Sequence, residues 1–335
     1  MLERLLRRES LTEAEACALM HELAGGEVAP VLAGALLAAL RAKGETADEI
    51  RGFAAAMRAL AVRPAVPAGA ATVDTVGTGG DGSGSFNLST GAGLLAAACG
   101  ARVVKHGNRS ISSRCGSADL LERLGMPLPL DEPAAIGCLE ALNFTFLFAP
   151  AYHPAMKQVA PVRAALGVRT VFNLLGPLTN PAAPPFQLIG AFSAEAAALM
   201  AETLAGMPIE RAFVVHGEPG WDEATPVGSF LLYDVRPGRV EETRREPEDY
   251  GGARCAPEAL KGGDAAANAA ALERVFTGDD RGAHRDALLM GTSLVLEVTG
   301  LARDGAEGTA MAADALDSGQ AGAFLQDFRR HFGPP

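Results

Sequence analysis

The sequence predicts an α/β protein: a small, discontinuous helical domain and a larger domain with a mostly parallel central sheet covered by helices. Three observations carry this. Residues 1–62 read as helices with sharp stops and no strand pattern; from Thr72 short β-rich runs alternate with helical stretches; and residues 153–182 break that alternation with helical periodicity and no good strand. The expected division is therefore 1–66 as the first part of the helical domain, 67–152 as the first part of the α/β domain, 153–182 as a return to the helical domain, and 183–335 as the rest of the α/β domain.

Each element has a local reason. Thr12 with Glu15, and Thr46 with Glu49, have capping-box spacing; Pro30 suits a first helical turn, and Gly25, Gly26 and Gly44 supply exits. Arg63 to Ala71, with Pro64, Pro67 and Gly69, reads as a linker. Strands are expected over Arg102–Lys105, Asn143–Phe148, Phe186–Phe192, Arg211–Val215 and Ser229–Val235. Thr90–Cys99 is an apolar helical run. A further helix, Ala118–Leu124, ends at Gly125, with Ser117 able to cap it. The segment 153–182 ends in the turn-rich stretch from Asn173 to Pro181.

Composition excludes several classes. Apolar residues at 48% and charged ones at 21% describe an ordinary globular chain whose core is aliphatic, since aromatics are 5%. The apolar run Val28–Leu40 is too short to span a bilayer, which needs about 20 residues. The charged start, Met1–Ser10, has no secretory h-region, so a cytoplasmic location is expected. Forty acidic against 29 basic side chains, for a net charge of −11, disfavour broad nucleic-acid binding. Cys17, Cys99, Cys115, Cys138 and Cys255 have no paired spacing, which fits reduced thiols better than disulfides or a structural metal.

Against that acidic background, the window from Asp74 to Asp119 holds Arg102, Lys105, His106, Arg109 and Arg114 and a single interior acid, Asp81. Such a local inversion points to an anion. Gly77, Gly79 and Gly82 satisfy GxGxxG, and Asn87 to Ser89 precede the apolar helix. Backbone N–H groups and a helix N-terminus can meet an anion there. No acid follows at the ribose-binding distance of a Rossmann site, and Ser83 stands where a P-loop requires lysine, so both nucleotide readings weaken. Asp81, Asn87, Ser89 and Thr90 can bind metal, hydroxyl or phosphate oxygen, although a bare glycine turn with no ligand fits the glycines alone. Lys105–Arg109 follow a strand, at the carboxyl end where α/β sheets place ligands. Ser110, Ser112, Ser113 and Ser117 add hydroxyls, for which capping and turn formation are the plainer roles. Asp222 and Glu223 follow a strand and a Gly/Pro loop and can aim at one hard cation, or simply be solvated. Arg163 reads from the residues alone as a solvated helix charge.

Five segments resemble a known family. Asp74–Thr90 (DTVGTGGDGSGSFNLST), Lys105–Leu124 (KHGNRSISSRCGSADLLERL), His153–Pro181 (HPAMKQVAPVRAALGVRTVFNLLGPLTNP), Val214–Glu223 (VVHGEPGWDE) and Gly262–Ala270 (GGDAAANAA) closely resemble anthranilate phosphoribosyltransferases, over essentially the whole chain. The resemblance implies phosphoribosyl transfer from 5-phosphoribosyl 1-diphosphate (PRPP) to the amine of anthranilate in tryptophan biosynthesis. It also implies Mg²⁺, as two ions with the diphosphate substrate, and homodimers formed through the helical domain. It makes Gly77, Thr78, Gly79, Gly80, Asp81, Asn87, Ser89, Thr90, Lys105 and Ser117 the PRPP cradle, Ser89, Asp222 and Glu223 the metal ligands, and Gly77, His106, Asn108, Arg163 and Gly176 the anthranilate site. No residue is firmly assigned as catalytic; Lys105 and His106 are the candidates. Arg114, Cys115 and Ala267 depart from the family pattern, as does the loop 224–230. Cys115 reads as an inert small residue, with a thiol activated by its basic neighbours as the alternative. Two alternatives stand beside this reading: a pyrimidine nucleoside phosphorylase of related fold, and a non-catalytic nucleic-acid-binding paralogue.

Overall fold

The computed structural model describes residues 1–67, 70–110 and 114–333; Gly69 of the expected linker, and Ser112 and Ser113 of the basic loop, lie outside them. Four helices open the chain: α1 (Leu2–Leu6), α2 (Glu13–Gly25), α3 (Pro30–Lys43) and α4 (Ala47–Leu60). Both capping boxes form. The Glu15 N–H donates to Thr12 Oγ1 at 3.3 Å and the Thr12 N–H to Glu15 at 2.9 Å; Thr46 and Glu49 repeat the exchange at 3.3 and 2.8 Å.

The larger part runs β1 (Thr72–Gly77), α5 (Leu88–Ala98), β2 (Arg102–Gly107), α6 (Ser117–Arg123), α7 (Glu132–Leu142), β3 (Phe144–Phe148) and the short α8 (Ala149–Tyr152). After the return segment, α9 (Met156–Leu166) and α10 (Phe172–Leu178), come β4 (Phe186–Gly190), α11 (Ala194–Ala205), β5 (Arg211–Gly217), β6 (Phe230–Arg236), β7 (Arg239–Arg245) and four C-terminal helices. These last are α12 (Ala265–Phe276), α13 (Ala283–Thr299), α14 (Gly305–Asp317) and α15 (Gln320–Phe332). Seven strands form one sheet in the order β3-β2-β1-β4-β5-β6-β7; the first five are parallel, and β6 and β7 are antiparallel additions.

Alternate strand residues feed two cores, as the two-residue period requires. Val73, Val103, Phe144, Leu188, Phe213 and Phe230 join the core built with α5–α7 and α12–α15. Ile189, Ala212, Val214, Tyr233 and Val235 face α11 and the helical layer. The return segment packs there too: Val159, Phe172, Leu174, Leu175 and Leu178 share one apolar cluster with Leu19, Leu37 and Phe53 of the opening helices. Two bonds fasten the join, from the Val62 N–H to the Tyr152 carbonyl at 2.9 Å and from Arg58 Nε to the Leu178 carbonyl at 2.8 Å.

Two strands form beyond those expected, and one expected helix cap differs. β7 (RVEETRR) carries no apolar alternation because it is a solvent-exposed edge strand, held by its ladder with β6; charges on an edge also discourage pairing with other chains. β1 is obscured by Asp74, a carboxylate fully buried in mid-strand that accepts from Asn180 Nδ2 at 2.8 Å and from the His106 N–H at 3.2 Å. Burial pushes this carboxyl up to about 6. Ser117 is not the cap of α6 but its first residue; Gly116 holds the cap position, and the Asp119 carboxylate accepts from the Gly116 N–H at 2.8 Å.

Candidate active site

The sheet order reverses at β1, whose neighbours are β2 on one side and β4 on the other. Open α/β sheets bind ligands in the crevice at the carboxyl ends of such strands. Three loops converge there: the glycine loop after β1, the Lys105–Asn108 turn ending β2, and the Asp222–Glu223 loop after β5.

Glycine makes the convergence possible. A Cβ on Gly77, last residue of β1, would enter the Asp222 carboxylate, and one on Gly190, last residue of β4, would enter the Asp222 carbonyl. The acidic loop thus crosses directly over two bare strand ends. Asp222 accepts from the Gly79 N–H at 2.6 Å, and its own N–H donates to Asp81 at 3.3 Å. The other Asp81 oxygen accepts from the Ser83 N–H at 3.1 Å. Gly79 and Gly80 have φ of +68° and +72°, the left-handed turn that L side chains resist. Gly190, invisible as a site residue in the sequence, is as necessary as Gly77.

Glu223 reaches the first turn of α5, where it accepts from the Ser89 N–H at 3.2 Å. The residue at its own cap position, Asn87, makes no cap bond. Asn87, at the cap position, instead donates to the Cys115 carbonyl at 3.0 Å and accepts from Asn268 Nδ2 at 2.8 Å. Thr90 Oγ1 is buried with no hydrogen-bond partner among the described residues. Lys105, also buried, donates to the Thr75 carbonyl and to Ser89 Oγ at 3.3 Å.

The charges here do not balance. Asp74, Asp81, Asp222 and Glu223 cluster about one buried ammonium, Lys105. Burial first, and Asp81 second, push the Asp222 carboxyl up to about 7; burial and then Asp222 push Glu223 up to about 8. Burial lowers Lys105, against the pull of Asp74, Glu223 and Asp222. A hard divalent cation fits this donor set, because it supplies the missing positive charge to oxygen ligands. Among the described residues no three His, Cys, Asp or Glu side chains form a cage, so such an ion would need further oxygens from its ligand.

The basic window is reorganised by the fold. Arg109 turns outward, pairing with Glu122 at 2.6 Å and Asp119 at 3.2 Å, and Arg114 is exposed. Of the five basic residues only Lys105 joins the cradle. His106 is not cationic: burial, then its neighbour His153, hold its pKa down at about 3. The two rings sit 5.1 Å apart, and His106 Nε2 has no partner among the described residues. Cys115 is the reverse of an activated thiol, since burial, aided by Asp119, pushes it up to about 11. Gly176, within α10, presents its backbone to His106.

Asn108 is exposed on the β2 turn, its Oδ1 accepting from the Arg109 N–H at 2.7 Å. Ser117 flanks Gly107. Arg163, on α9, is half-buried over the Phe172 ring at 5.0 Å and makes no ion pair among the described residues. The Thr78 N–H donates to the Gly190 carbonyl at 2.9 Å, and Thr78 Oγ1 accepts from the Phe192 N–H at 3.1 Å. Arg169, unremarked in the sequence, lies over the Phe192 ring at 4.1 Å and donates to the Gly80 carbonyl, tying the return segment to the glycine loop.

A helical layer beside an α/β sheet, with a helix N-terminus and carboxylates at the strand ends, suits a group-transfer enzyme acting on an anionic substrate. The chain matches the helical bundle domain of a glycosyl transferase family over residues 1–61 and the a/b domain of that family over residues 69–322. It is 50% identical to the anthranilate phosphoribosyltransferase of Solibacter usitatus, covering 96% of this chain and 95% of that one. The corresponding enzyme of Rubrobacter xylanophilus is 47% identical, covering 98% and 97%. The crystal structure of anthranilate phosphoribosyltransferase from Thermus thermophilus superposes with a TM-score of 0.92 at 45% identity, covering 99% of both chains. The Saccharomyces cerevisiae enzyme in complex with PRPP and Mg superposes with a TM-score of 0.88 at 26% identity, covering 99% of this chain and 96% of that one. The chain belongs to the anthranilate phosphoribosyltransferase family.

Proposed function

We infer that the protein transfers the phosphoribosyl group of PRPP to the amine of anthranilate, forming N-(5-phosphoribosyl)anthranilate and diphosphate in tryptophan biosynthesis. The observation that carries this is the acidic loop laid across two glycine strand ends beside the N-terminus of α5, in a chain of this family. Neither a nucleoside phosphorylase nor a nucleic-acid-binding role is favoured by the relatives.

Gly77, Thr78, Gly79, Gly80 and Asp81 with Asn87, Ser89, Thr90, Lys105 and Ser117 hold PRPP in this reading. Asp222, Glu223 and Ser89 would hold Mg²⁺, as two ions; Asp222 lies on the glycine loop and Glu223 at the start of α5. Mg²⁺ supplies charge neutralisation to the departing diphosphate. As the C1–O bond breaks, its electron pair leaves with diphosphate. The α5 N–H groups and Lys105 stabilise the charge that develops there. The aromatic amine attacks C1 and then loses a proton, so no strong side-chain base is needed, and neutral His106 fits a pocket-lining role. Asn108 and Arg163, with His106, Gly77 and Gly176, bind anthranilate; a half-buried arginine with no carboxylate partner among the described residues suits the substrate carboxylate.

The helical domain comprises 1–66 and 153–182, a division supported by the shared apolar cluster. The protein is a homodimer through that domain: Leu6, Val31 and Leu32 expose 63%, 88% and 44% of their surface beside a groove of about 480 Å³. It works in the cytoplasm, in keeping with its scattered thiols; no described helix is long and apolar enough to cross a membrane. The test is loss of anthranilate fluorescence on adding PRPP and Mg²⁺. Folded protein that left the fluorescence unchanged would overturn the assignment.

A further inference from the structure

We propose that Asn268, on α12, is a positioning residue for the PRPP cradle, acting through Asn87. This rests on the reading above and goes beyond it by adding a residue that no substrate contact assigns. A carboxamide is nearly symmetric in shape but not in polarity, with an acceptor at one end and two N–H groups at the other. The orientation of Asn87 therefore has to be set by its neighbours.

The structure contains a directed chain that sets it. The Gly263 backbone N–H, which can only donate, does so to Asn268 Oδ1 at 2.7 Å. That places Asn268 Nδ2 against Asn87 Oδ1 at 2.8 Å. Asn87 Nδ2 then faces the Cys115 carbonyl, which can only accept, at 3.0 Å. With a backbone donor at one end and a backbone acceptor at the other, only one orientation of both amides satisfies every bond. Asn268 is 3% exposed, so water does not substitute for it.

The consequence falls on the cradle. Asn87 sits at the cap position of α5 without capping it, leaving the first-turn N–H groups to Glu223 and to substrate. The second Asn87 N–H is not used in the chain and is oriented by it. The chain also joins the α5 N-terminus, the loop carrying Cys115 and the Gly263 turn, three segments distant in sequence. Removal of Asn268 frees Asn87 to rotate or flip and lets these segments separate, so PRPP binding should weaken while anthranilate, held elsewhere, should be unaffected.

The experiment compares wild type, Asn268→Ala, Asn268→Asp, Asn87→Ala and the Asn87→Ala/Asn268→Ala double variant, by steady-state kinetics with saturating Mg²⁺ and by calorimetric titration with PRPP·Mg²⁺. Asn268→Ala is expected to raise the PRPP KM about tenfold with the anthranilate KM within twofold, and to change the PRPP KM less than twofold in the Asn87→Ala background. Asn268→Asp, which keeps the acceptor for Gly263 but loses the N–H offered to Asn87, is expected to shift PRPP in the same direction and stands in should the alanine variant not fold. Equal effects on both substrates, additive effects in the double variant, or an unchanged PRPP KM in Asn268→Asp would overturn the proposal. Wild-type turnover in the same series tests the functional reading separately, and titration reads the effect on PRPP without turnover.

Discussion

Replacing Asp222 by asparagine should make the protein more stable and nearly inactive. In the fold this carboxyl is pushed from its ordinary 3.8 up to about 7 by burial and by Asp81. The sign follows. Below about pH 4 the group is protonated folded or unfolded and carries no penalty. Between pH 4 and 7 the folded state holds a proton that the unfolded chain releases, so stability falls as pH rises, and above 7 the full penalty applies. At about 1.4 kcal/mol per pH unit the ceiling is roughly 4 kcal/mol. Lys105 loses one of its acidic neighbours in the variant, which offsets part of the gain, and about half the ceiling is expected. For a chain of 335 residues, unfolding entropy of about 2.1 cal/mol/K per residue converts about 2 kcal/mol into a rise of about 3 °C. Asparagine retains the geometry, since Oδ1 can accept from the Gly79 N–H and Nδ2 can donate to Asp81. Thermal melts without Mg²⁺ at pH 9 and pH 5 are the assay, with kcat/KM at saturating Mg²⁺ alongside. A Tm gain at pH 9 that fades at pH 5, with kcat/KM down about a hundredfold, is expected. A variant less stable than wild type at pH 9, or within threefold of its activity, would refute the electrostatic account.

The remaining expectations concern other parts of the site. Gly190→Ala should lose about 3 kcal/mol or more, because its methyl meets the Asp222 backbone rather than a movable side chain; denaturant melts measure it. Arg163→Ala should raise the anthranilate KM roughly tenfold to a hundredfold, the range of a charge-assisted hydrogen bond at about 1.5–3 kcal/mol, and leave the PRPP KM unchanged. Arg169→Ala removes the tie to the Gly80 carbonyl and should weaken PRPP more than anthranilate, read by the same two KM values. Leu32→Asp on α3 tests the proposed dimer: light scattering should report a dimer for the wild type and a monomer for the variant without loss of helicity, and a dimeric variant would move the interface off this face.

Capping pairs, glycine exits and alternating apolar runs are local, so the helices and most of the strands could be read from the chain. β7 could not, because its stability comes from hydrogen bonds to β6 and not from any apolar face of its own. β1 was masked by Asp74, whose polarity argues against a buried strand until Asn180, about a hundred residues on, is seen to satisfy it. The same division runs through the site. The glycine loop, Lys105 and the Asp222–Glu223 pair were visible as residue types in suggestive positions. Gly190, His153, Arg169 and Asn268 were not, since each meets its partner there across a long stretch of sequence.

By itself, then, the sequence determined the α/β class, the helical opening and the family resemblance, because these depend on short-range pattern and motif order. Only the tertiary structure decided what the basic window does. Folding sends Arg109 to Glu122 and Asp119, leaves His106 neutral and buries Lys105 among three carboxylates. Net charge along a chain is a sum over residues, whereas the field at a site depends on which charges are desolvated and which are already paired.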